Sequence, residues 1–324
     1  MKKSALILYN KLSKKPKDDE VDVLEQVDLV SKALRKLKYE VKYLQVDLNL
    51  KAAIRKLQEL KPDIIFNLVE TIGNKGEFTF LANSILNFIM IPYSGSPLIP
   101  MFLCSNKLLA KKELTAFGVK TPKGFSLDQC HKLRPNKKYL IKPIWEEGSL
   151  ELDEECVFSG SDLDYIDKIK KKSSYHYFIE EFIEGREFNI SILYGKDGPE
   201  VLPIAEMTFV DYPEGKPKIM GYTAKWNEES FEYSHTRRTF HLSDDDRLLK
   251  NRLIQICKKC WIELNLKGYV RIDFRVDKKT EPYVIDINLN PCLSSSGGFM
   301  AAARKKGLTF EKIVSRILED AIRN

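Results

Sequence analysis

Residues 271–291, "RIDFRVDKKTEPYVIDINLNP", place two aspartates and an asparagine on two predicted strands. In each half of the stretch, apolar and polar residues alternate with a period of two, which is typical of paired β-strands, and "KKTEP" predicts the turn between them. If the strands form a hairpin, Asp273, Asp286 and Asn288 share one face. Three oxygen ligands on rigid strands suit Mg²⁺, which completes its shell with water and phosphate. The alternative is a solvated strand face, because polar alternation is common in antiparallel sheets.

The composition is that of an ordinary globular protein, because 43% of the 324 residues are hydrophobic and the length suffices for two or three domains. The 53 basic and 46 acidic residues leave a net charge of +7, an excess too diffuse to indicate nucleic-acid binding. No apolar run approaches the roughly 20 residues of a membrane span. The apolar segment at residues 5–9 is shorter than the roughly 7 residues of a signal-peptide core, so we expect a cytoplasmic protein without membrane partners.

The six cysteines are scattered through the chain, which predicts reduced thiols rather than a disulfide framework. Cys257 and Cys260 have C-x-x-C spacing inside an amphipathic helical pattern, without a second pair or a histidine nearby. We therefore expect buried helix cysteines rather than zinc ligands.

The first ninety residues predict alternating strands and helices. Strands are expected at residues 4–10, 39–47 and 62–70, and helices at residues 19–37 and 50–60. This order favours a parallel sheet with helices on its faces. Functional groups gather at the carboxyl ends of such strands, which directs attention to Asn67 and Glu70.

The rest of the chain predicts further elements without an internal repeat. Helices are expected at residues 78–87, 104–117, 248–264 and 309–322. Strands are expected at residues 137–144 and within residues 175–195. Residues 91–97 and about 210–236 are expected to be loops. Gly118 is a normal stop for the helix that precedes it.

Two segments have the residue types of a nucleotide site. Lys142 ends an apolar strand just before a loop with Gly148 and Ser149, which suits a phosphate clamp, although a solvated lysine at a strand end is the alternative. In "FIEEFIEGREF", residues 178–188, a short apolar linker suits an adenine edge and Glu187 suits ribose hydroxyls. A charged hairpin that faces water is the alternative there.

In their order and content, these segments resemble the ATP-grasp superfamily, and within it the D-alanine–D-alanine ligase-like family. The resemblance covers most of the chain, through "FNLVE", "IPYSGS", "SNKLLAKKEL", "YLIKPIWEEGS", "FIEEFIEGREFNISIL" and "RIDFRVDKKTEPYVIDINLNP". It implies an α/β class with α+β character in the ATP-binding part. It also implies an amino-terminal α/β domain at 1–97, a central ATP-grasp domain at 98–179 and a carboxy-terminal domain with the metal site at 180–324.

The resemblance also implies roles for individual residues. Lys107 and Lys142 would hold the ATP phosphates, with Lys225 near them. Glu180 would meet the adenine amino group, and the backbone of residues Glu181, Phe182 and Ile183 would flank the base. Glu187 would hold the ribose. Asp273, Asp286 and Asn288 match metal ligands, although the family usually has glutamate at the position of Asp286. Arg271 matches an arginine that stabilises a developing oxyanion.

The implied reaction is the ATP-dependent joining of a carboxylate and an amine. The carboxylate attacks the γ-phosphate to form an acyl phosphate, and the amine then displaces phosphate to form an amide. ATP and one or two Mg²⁺ ions are the implied cofactors, with Mn²⁺ as a substitute. A lid must exclude water from the acyl phosphate, and Ser149 with residues 210–236 is the candidate. Small substrates, expected to be amino acids, are the implied partners, and a homodimer is common among the relatives.

The substrate end departs from the family pattern. Glu20 or Asp22 substitutes for an early glutamate that holds the first amino group, and Glu70 lies in the segment that replaces a histidine- and glycine-rich one. Gly297 stands where the family has a serine for the second carboxylate, and Cys292 stands at a usual glycine position.

Substrate contacts are expected from the same end of the chain. Ser294, Ser295, Ser296 and Gly297 are the candidates, with a flexible Ser/Gly turn as the alternative. We expect Cys292 to be structural, because this chemistry needs no covalent enzyme intermediate.

The sequence favours one function and leaves two alternatives. The first is the ligase described above. The second is a catalytically silent ATP-binding regulatory or partner protein, which the altered substrate end favours. The third, nucleic-acid binding, is disfavoured because acidic residues are interleaved with the lysines.

Overall fold

A computed structural model gives the fold of the chain and describes residues 3–13, 18–146, 148–172 and 176–323. Its amino-terminal part is a parallel three-stranded sheet in the order β2-β1-β3, as the sequence predicts. The elements are β1 (Ser4–Asn10), α1 (Asp18–Lys36), β2 (Glu40–Val46), α2 (Leu50–Leu60), β3 (Ile64–Leu68), α3 (Phe80–Ile89) and α4 (Leu98–Ser105). Asn10 and Glu70 meet at the carboxyl edge of this sheet, where the backbone N–H of Glu70 donates to Asn10 Oδ1 at 3.3 Å.

The second part is an antiparallel four-stranded sheet in the order β4-β7-β5-β6. Its elements are α5 (Lys107–Ala116), β4 (Gly124–Ser126), β5 (Lys138–Pro143), β6 (Val157–Ser159), α6 (Leu163–Lys172) and β7 (Tyr177–Glu181). In this sheet, Leu140 lies opposite Glu180 and Lys142 lies opposite Phe178. The register therefore brings the predicted phosphate lysine beside the predicted adenine segment.

The third part is an antiparallel sheet in the order β11-β10-β8-β12-β13, with β9 paired to β8. Its elements are β8 (Gly185–Leu193), β9 (Glu200–Val201), β10 (Ala205–Phe209), α7 (Tyr222–Trp226), α8 (Phe231–His235), β11 (Thr236–Thr239), α9 (Arg247–Glu263), β12 (Tyr269–Asp277), β13 (Pro282–Asn288), α10 (Gly298–Lys305) and α11 (Phe310–Ile322). The hairpin predicted from residues 271–291 is confirmed, with Asp273 opposite Asp286 and Arg271 opposite Asn288.

Two segments differ from the sequence-based prediction. The helix expected at 104–117 is divided at Asn106, which caps α5 by accepting the N–H of Leu109 at 3.0 Å. The preceding helix, α4, is apolar with Pro100 in its first turn, so it has no amphipathic period to detect. The segment at 210–236, expected to be a loop, contains α7 and α8, which are too short for a periodic pattern.

The buried cysteines follow the prediction. Cys257 and Cys260 lie in α9 with 0% and 1% of their surface exposed, and burial raises the pKa of both thiols. Within the described ranges, the structure has no cluster of three or more His, Cys, Asp or Glu side chains that could hold a metal ion. The described helices also include none that is long and apolar enough to cross a membrane.

One hydrophobic cluster joins the beginning of the chain to its end. It contains Ile7 and Phe66 from the parallel sheet, Leu34 from α1, and Ile317 and Leu318 from α11. Polar contacts reinforce this packing, because Gln26 Oε1 accepts the backbone N–H of Leu293 at 2.9 Å. The first helix therefore positions the loop that precedes α10.

Candidate active site

A cavity of about 800 Å³ lies between the three sheets. It brings together the residues that the sequence selects for the site: Glu70, Lys107, Lys142, Ser149, Glu180, Glu181, Phe182, Ile183, Glu187, Lys225, Arg271, Asp273, Asp286, Asn288, Ser296 and Gly297. Asp22, the alternative to Glu20, also lines the cavity. The side chain of Glu20 lies outside the described residues.

At one end of the cavity, Glu180 is buried between two lysines. Its Oε1 lies 2.8 Å from Lys142 Nζ and its Oε2 lies 2.7 Å from Lys111 Nζ. Although burial raises the pKa of Glu180, the two lysines outweigh that effect and hold the pKa below its ordinary value. The two lysines therefore hold Glu180 as an ionised carboxylate at this end of the cavity.

Lys111 was not selected from the sequence. It lies on α5 one turn after Lys107, so both side chains occupy one face of the helix. Burial lowers the pKa of Lys111, and its Nζ also donates to Thr121 Oγ1 at 2.9 Å. The i, i+4 spacing of the two lysines was the signal that could have found it.

Glu187 forms a second buried pair, with Arg275. The Arg275 Nη1 atom lies 3.0 Å from Glu187 Oε2 and also donates to the Lys218 carbonyl at 2.7 Å. The Nε atom of Arg275 donates to the Ile183 carbonyl at 2.9 Å. Burial raises the pKa of Glu187 in spite of this guanidinium. The sequence analysis did not identify Arg275 as a site residue. It lies four residues after Arg271 on the same strand, so the two side chains share one face of the sheet.

The predicted metal ligands lie beside cations of the same cavity. Arg271 contacts both carboxylate oxygens of Asp273 at 2.8 Å, and Lys107 Nζ lies 3.2 Å from Asp286 Oδ1. Asn288 Oδ1 accepts the backbone N–H of Asn290 at 2.8 Å. Two cross-strand carboxylates and an amide oxygen are hard donors, so this set fits Mg²⁺, which takes its other ligands from water and phosphate.

Two loops meet over the cavity. The Ser149 hydroxyl donates to the Met220 carbonyl at 2.8 Å, and the N–H of Thr223 donates to Asp153 Oδ1 at 2.9 Å. At Gly221 a Cβ atom would lie 2.5 Å from Asp153 Oδ1, so only glycine permits this approach without a shift. Lys225 follows on α7 and lines the cavity.

The substrate end predicted from the sequence is built by α1 and the loop before α10. The Cys292 thiol donates to Asp22 Oδ2 at 2.7 Å, and Gln26 Nε2 donates to Glu70 Oε1 at 2.8 Å. Burial raises the pKa of Cys292, which keeps it a thiol, as a structural role requires. At Gly297 a Cβ atom would lie 2.7 Å from the Cys292 carbonyl oxygen, so a serine does not fit there without movement.

A family model, curated proteins and solved structures all match this chain to D-alanine–D-alanine ligases. A family model described as the D-ala D-ala ligase C-terminus matches residues 156–319. Among curated proteins, a D-alanine–D-alanine ligase of Aquifex aeolicus is 31% identical over 89% of this chain and 92% of its own length. One of Carboxydothermus hydrogenoformans is 29% identical over 90% of each chain.

Solved structures show a similar fold. The D-alanine–D-alanine ligase of Bacillus anthracis in complex with ATP aligns with a TM-score of 0.73 at 21% identity, over 100% of this chain and 98% of that chain. The synthetase A of Vibrio cholerae aligns with a TM-score of 0.74 at 14% identity, over 100% of each chain.

Proposed function

Because this chain belongs to the D-alanine–D-alanine ligase family and is an ATP-dependent, ADP-forming carbon–nitrogen ligase, we propose that it joins a small carboxylate to the amino group of an amino acid. The observation that carries this proposal is the convergence of the selected residues in one cavity. D-alanine is the first substrate to test at both positions, because it is named in the relatives.

The nucleotide would lie along the Glu180 and Glu187 end of the cavity. Glu180 would accept from the adenine amino group, the backbone of residues 181–183 would flank the base, and Glu187 would hold the ribose. The burial of Glu180 between Lys111 and Lys142 supports this assignment, since the lysines keep it ionised as an acceptor. Lys107, Lys142 and Lys225 would then neutralise the phosphates.

Asp273, Asp286 and Asn288 would hold Mg²⁺, as one or two ions with Mn²⁺ as a substitute. Bound there, the metal would supply positive charge to the phosphate oxygens during transfer. Arg271 touches Asp273 in the structure, and its guanidinium would stabilise the negative oxygen that develops as the amine attacks. Asp286, in the usual glutamate position, is one methylene shorter, so its reach toward the metal is reduced.

The reaction would proceed in two displacements. A carboxylate oxygen of the substrate attacks the γ-phosphorus and the bond to ADP breaks. The amine nitrogen then attacks the carbonyl carbon of the acyl phosphate, phosphate leaves, and the amine loses a proton. Ser149, joined to Met220, would help to close the lid that excludes water during the interval.

The direct test is ADP release with mass detection of products. Purified protein receives Mg-ATP and a panel of D- and L-amino acids, singly and in pairs. We expect ADP together with a new mass that corresponds to an amide. Nucleotide binding without ADP or amide across the whole panel would contradict the proposed activity.

Replacing Asp273 by Asn tests the metal assignment. We expect turnover to fall by about 100-fold or more, because a ligand oxygen and its charge are lost while the shape is kept. Asp245→Asn, in the exposed turn before α9, is the matched control and should retain activity. Circular dichroism checks the fold of both variants, and full turnover by a folded Asp273→Asn protein would reject the assignment.

The division into units at 1–97, 98–179 and 180–324 and the homodimer are also part of the proposal. The first rests on the separate sheets, and light scattering of the purified protein tests the second.

A further inference from the structure

Arg238, on β11, is a cation that lines the cavity. Its side chain is exposed. Within residues 3–13, 18–146, 148–172 and 176–323, its guanidinium makes no hydrogen bond or ion pair. By contrast, the cavity carboxylates of Glu180, Glu187, Asp273 and Asp286 each already contact a lysine or an arginine.

The strand register explains why Arg238 faces the cavity. Arg238 pairs with Met207, and Met207 pairs with Glu187, so the three residues lie in one row across the sheet. Residues in one row share a face, and Glu187 and Met207 line the cavity. Arg237, the next residue along β11, is directed to the opposite face.

The guanidinium of Arg238 reaches the start of α10. Its Nη2 atom lies 3.5 Å from the position that a Cβ atom on Gly298 would occupy. Loss of hydration, followed by repulsion from Arg271 and Arg304, lowers the pKa of Arg238. Arg304 of α10 donates to the Ser295 carbonyl at 2.7 Å, while Arg271 is already paired with Asp273. Two guanidinium groups, those of Arg238 and Arg304, therefore lie near the start of α10, and this positive charge favours an anion.

Neither position 297 nor position 298 offers a side chain to a bound substrate. The family pattern has a serine at position 297. In this chain, a serine there would place its Cβ atom against the Cys292 carbonyl. Gly298 carries no side chain either, so the backbone alone faces Arg238. A guanidinium offers two parallel N–H donors, which match a carboxylate better than a single hydroxyl does.

We propose, on the basis of the function proposed above, that Arg238 binds a carboxylate of the amine substrate at Gly297 and Gly298. It is thus a specificity-determining residue. Through this contact Arg238 discriminates against amines that carry no carboxylate.

Binding of matched substrate pairs tests this role without turnover. Wild-type protein, with Mg²⁺ and a non-hydrolysable ATP analogue, is titrated with each D- and L-amino acid and with its carboxamide, and the Tm is recorded at each concentration. We expect at least one acid to bind about tenfold or more tightly than its amide, the effect of a charge-assisted hydrogen bond.

Three variants test whether Arg238 causes the tighter binding of the acid than of its amide. Arg238→Met should abolish the difference between acid and amide, and Arg238→Lys should retain part of it. Arg237→Met removes the same charge from the opposite face of the same strand and should leave the preference intact.

The outcomes separate this inference from the proposed function. If no acid binds more tightly than its amide, or if Arg238→Met keeps the preference, the role of Arg238 is rejected. If Arg238→Met instead weakens the ATP analogue, the residue binds phosphate and the inference is also wrong. ADP and amide formation without an acid preference would reject the role of Arg238 and leave the proposed function intact. An acid preference that is lost in Arg238→Met, without ADP release from any substrate, would contradict the proposed function and leave only carboxylate binding by Arg238.

Discussion

At the level of single residues, Arg275 and Glu187 form an ion pair with 5% and 7% of their side chains exposed. The same guanidinium contacts the carbonyls of Ile183 and Lys218 and lies 5.3 Å from the Phe182 ring centre. One side chain therefore positions the proposed ribose ligand, the proposed adenine segment and the lid segment at once.

Arg275→Met should lower the free energy of unfolding by about 3 kcal/mol, because it leaves the Glu187 carboxylate buried without a counter-ion. Adding Glu187→Gln removes that charge and should restore most of the loss. Urea unfolding of the wild type, both single variants and the double variant measures the effect. Equal destabilisation of Arg275→Met and the double variant would contradict this account.

Glu146 provides a prediction about pH. Burial raises its pKa above the ordinary 4.5, although its Oε1 accepts the Gly76 N–H at 3.3 Å. A raised folded pKa favours the protonated form, so this contribution to stability is present below pH 4.5 and is lost as the pH rises through the folded pKa.

Glu146→Gln keeps the acceptor oxygen but cannot ionise. We expect the variant to be more stable than the wild type at neutral pH, and the difference to shrink as the pH falls toward 4.5. Urea unfolding at a series of pH values measures it. A difference that grows on acidification would show that the sign is wrong.

At the scale of elements, the contact between the two segments proposed to form the lid depends on Gly221. Its φ of −78° suits any residue, so the close approach to Leu152 and Asp153 is what requires glycine there. Gly221→Ala should separate the loops and reduce amide formation by about 10- to 100-fold, while ADP release falls less because water reaches the acyl phosphate.

The ratio of ADP to amide measures this uncoupling. Asp153→Asn retains an oxygen for the Thr223 N–H, so it should stay close to the wild-type ratio. An unchanged ratio in Gly221→Ala would mean that this contact does not exclude water.

Helices and strands could be predicted from the sequence where one face of the element is buried and its apolar residues recur at regular spacing. Strand β1 and helix α2 begin and end where the sequence places them, and the hairpin carries Asp273 opposite Asp286. Arg238 could not be found in this way, because its role depends on a strand register and on a loop some sixty residues later. Such long-range placement leaves no local pattern.

At the scale of the whole molecule, the parallel sheet depends on the end of the chain. Ile7 and Phe66 are fully buried in a cluster that α11 completes with Ile317 and Leu318. Residues 1–97 expressed alone would expose this surface, so we expect them not to fold cooperatively.

Circular dichroism with thermal unfolding of the 1–97 fragment checks this expectation, with the full chain as the reference. A sharp, cooperative transition in the isolated fragment would contradict it. The division of the chain into three units remains a prediction in either case, since it concerns architecture and not independent stability.

In the structure the cavity neutralises its own charges, with Arg271 on Asp273 and Lys107 on Asp286. A phosphate that drew Lys107 away would uncover a carboxylate, and a divalent ion held by Asp273 would release Arg271. Each proposed ligand would then strengthen the binding of the other, and thermodynamic reciprocity would make the two gains in affinity equal. We expect such a site to bind free phosphates or free metal weakly and the two together strongly.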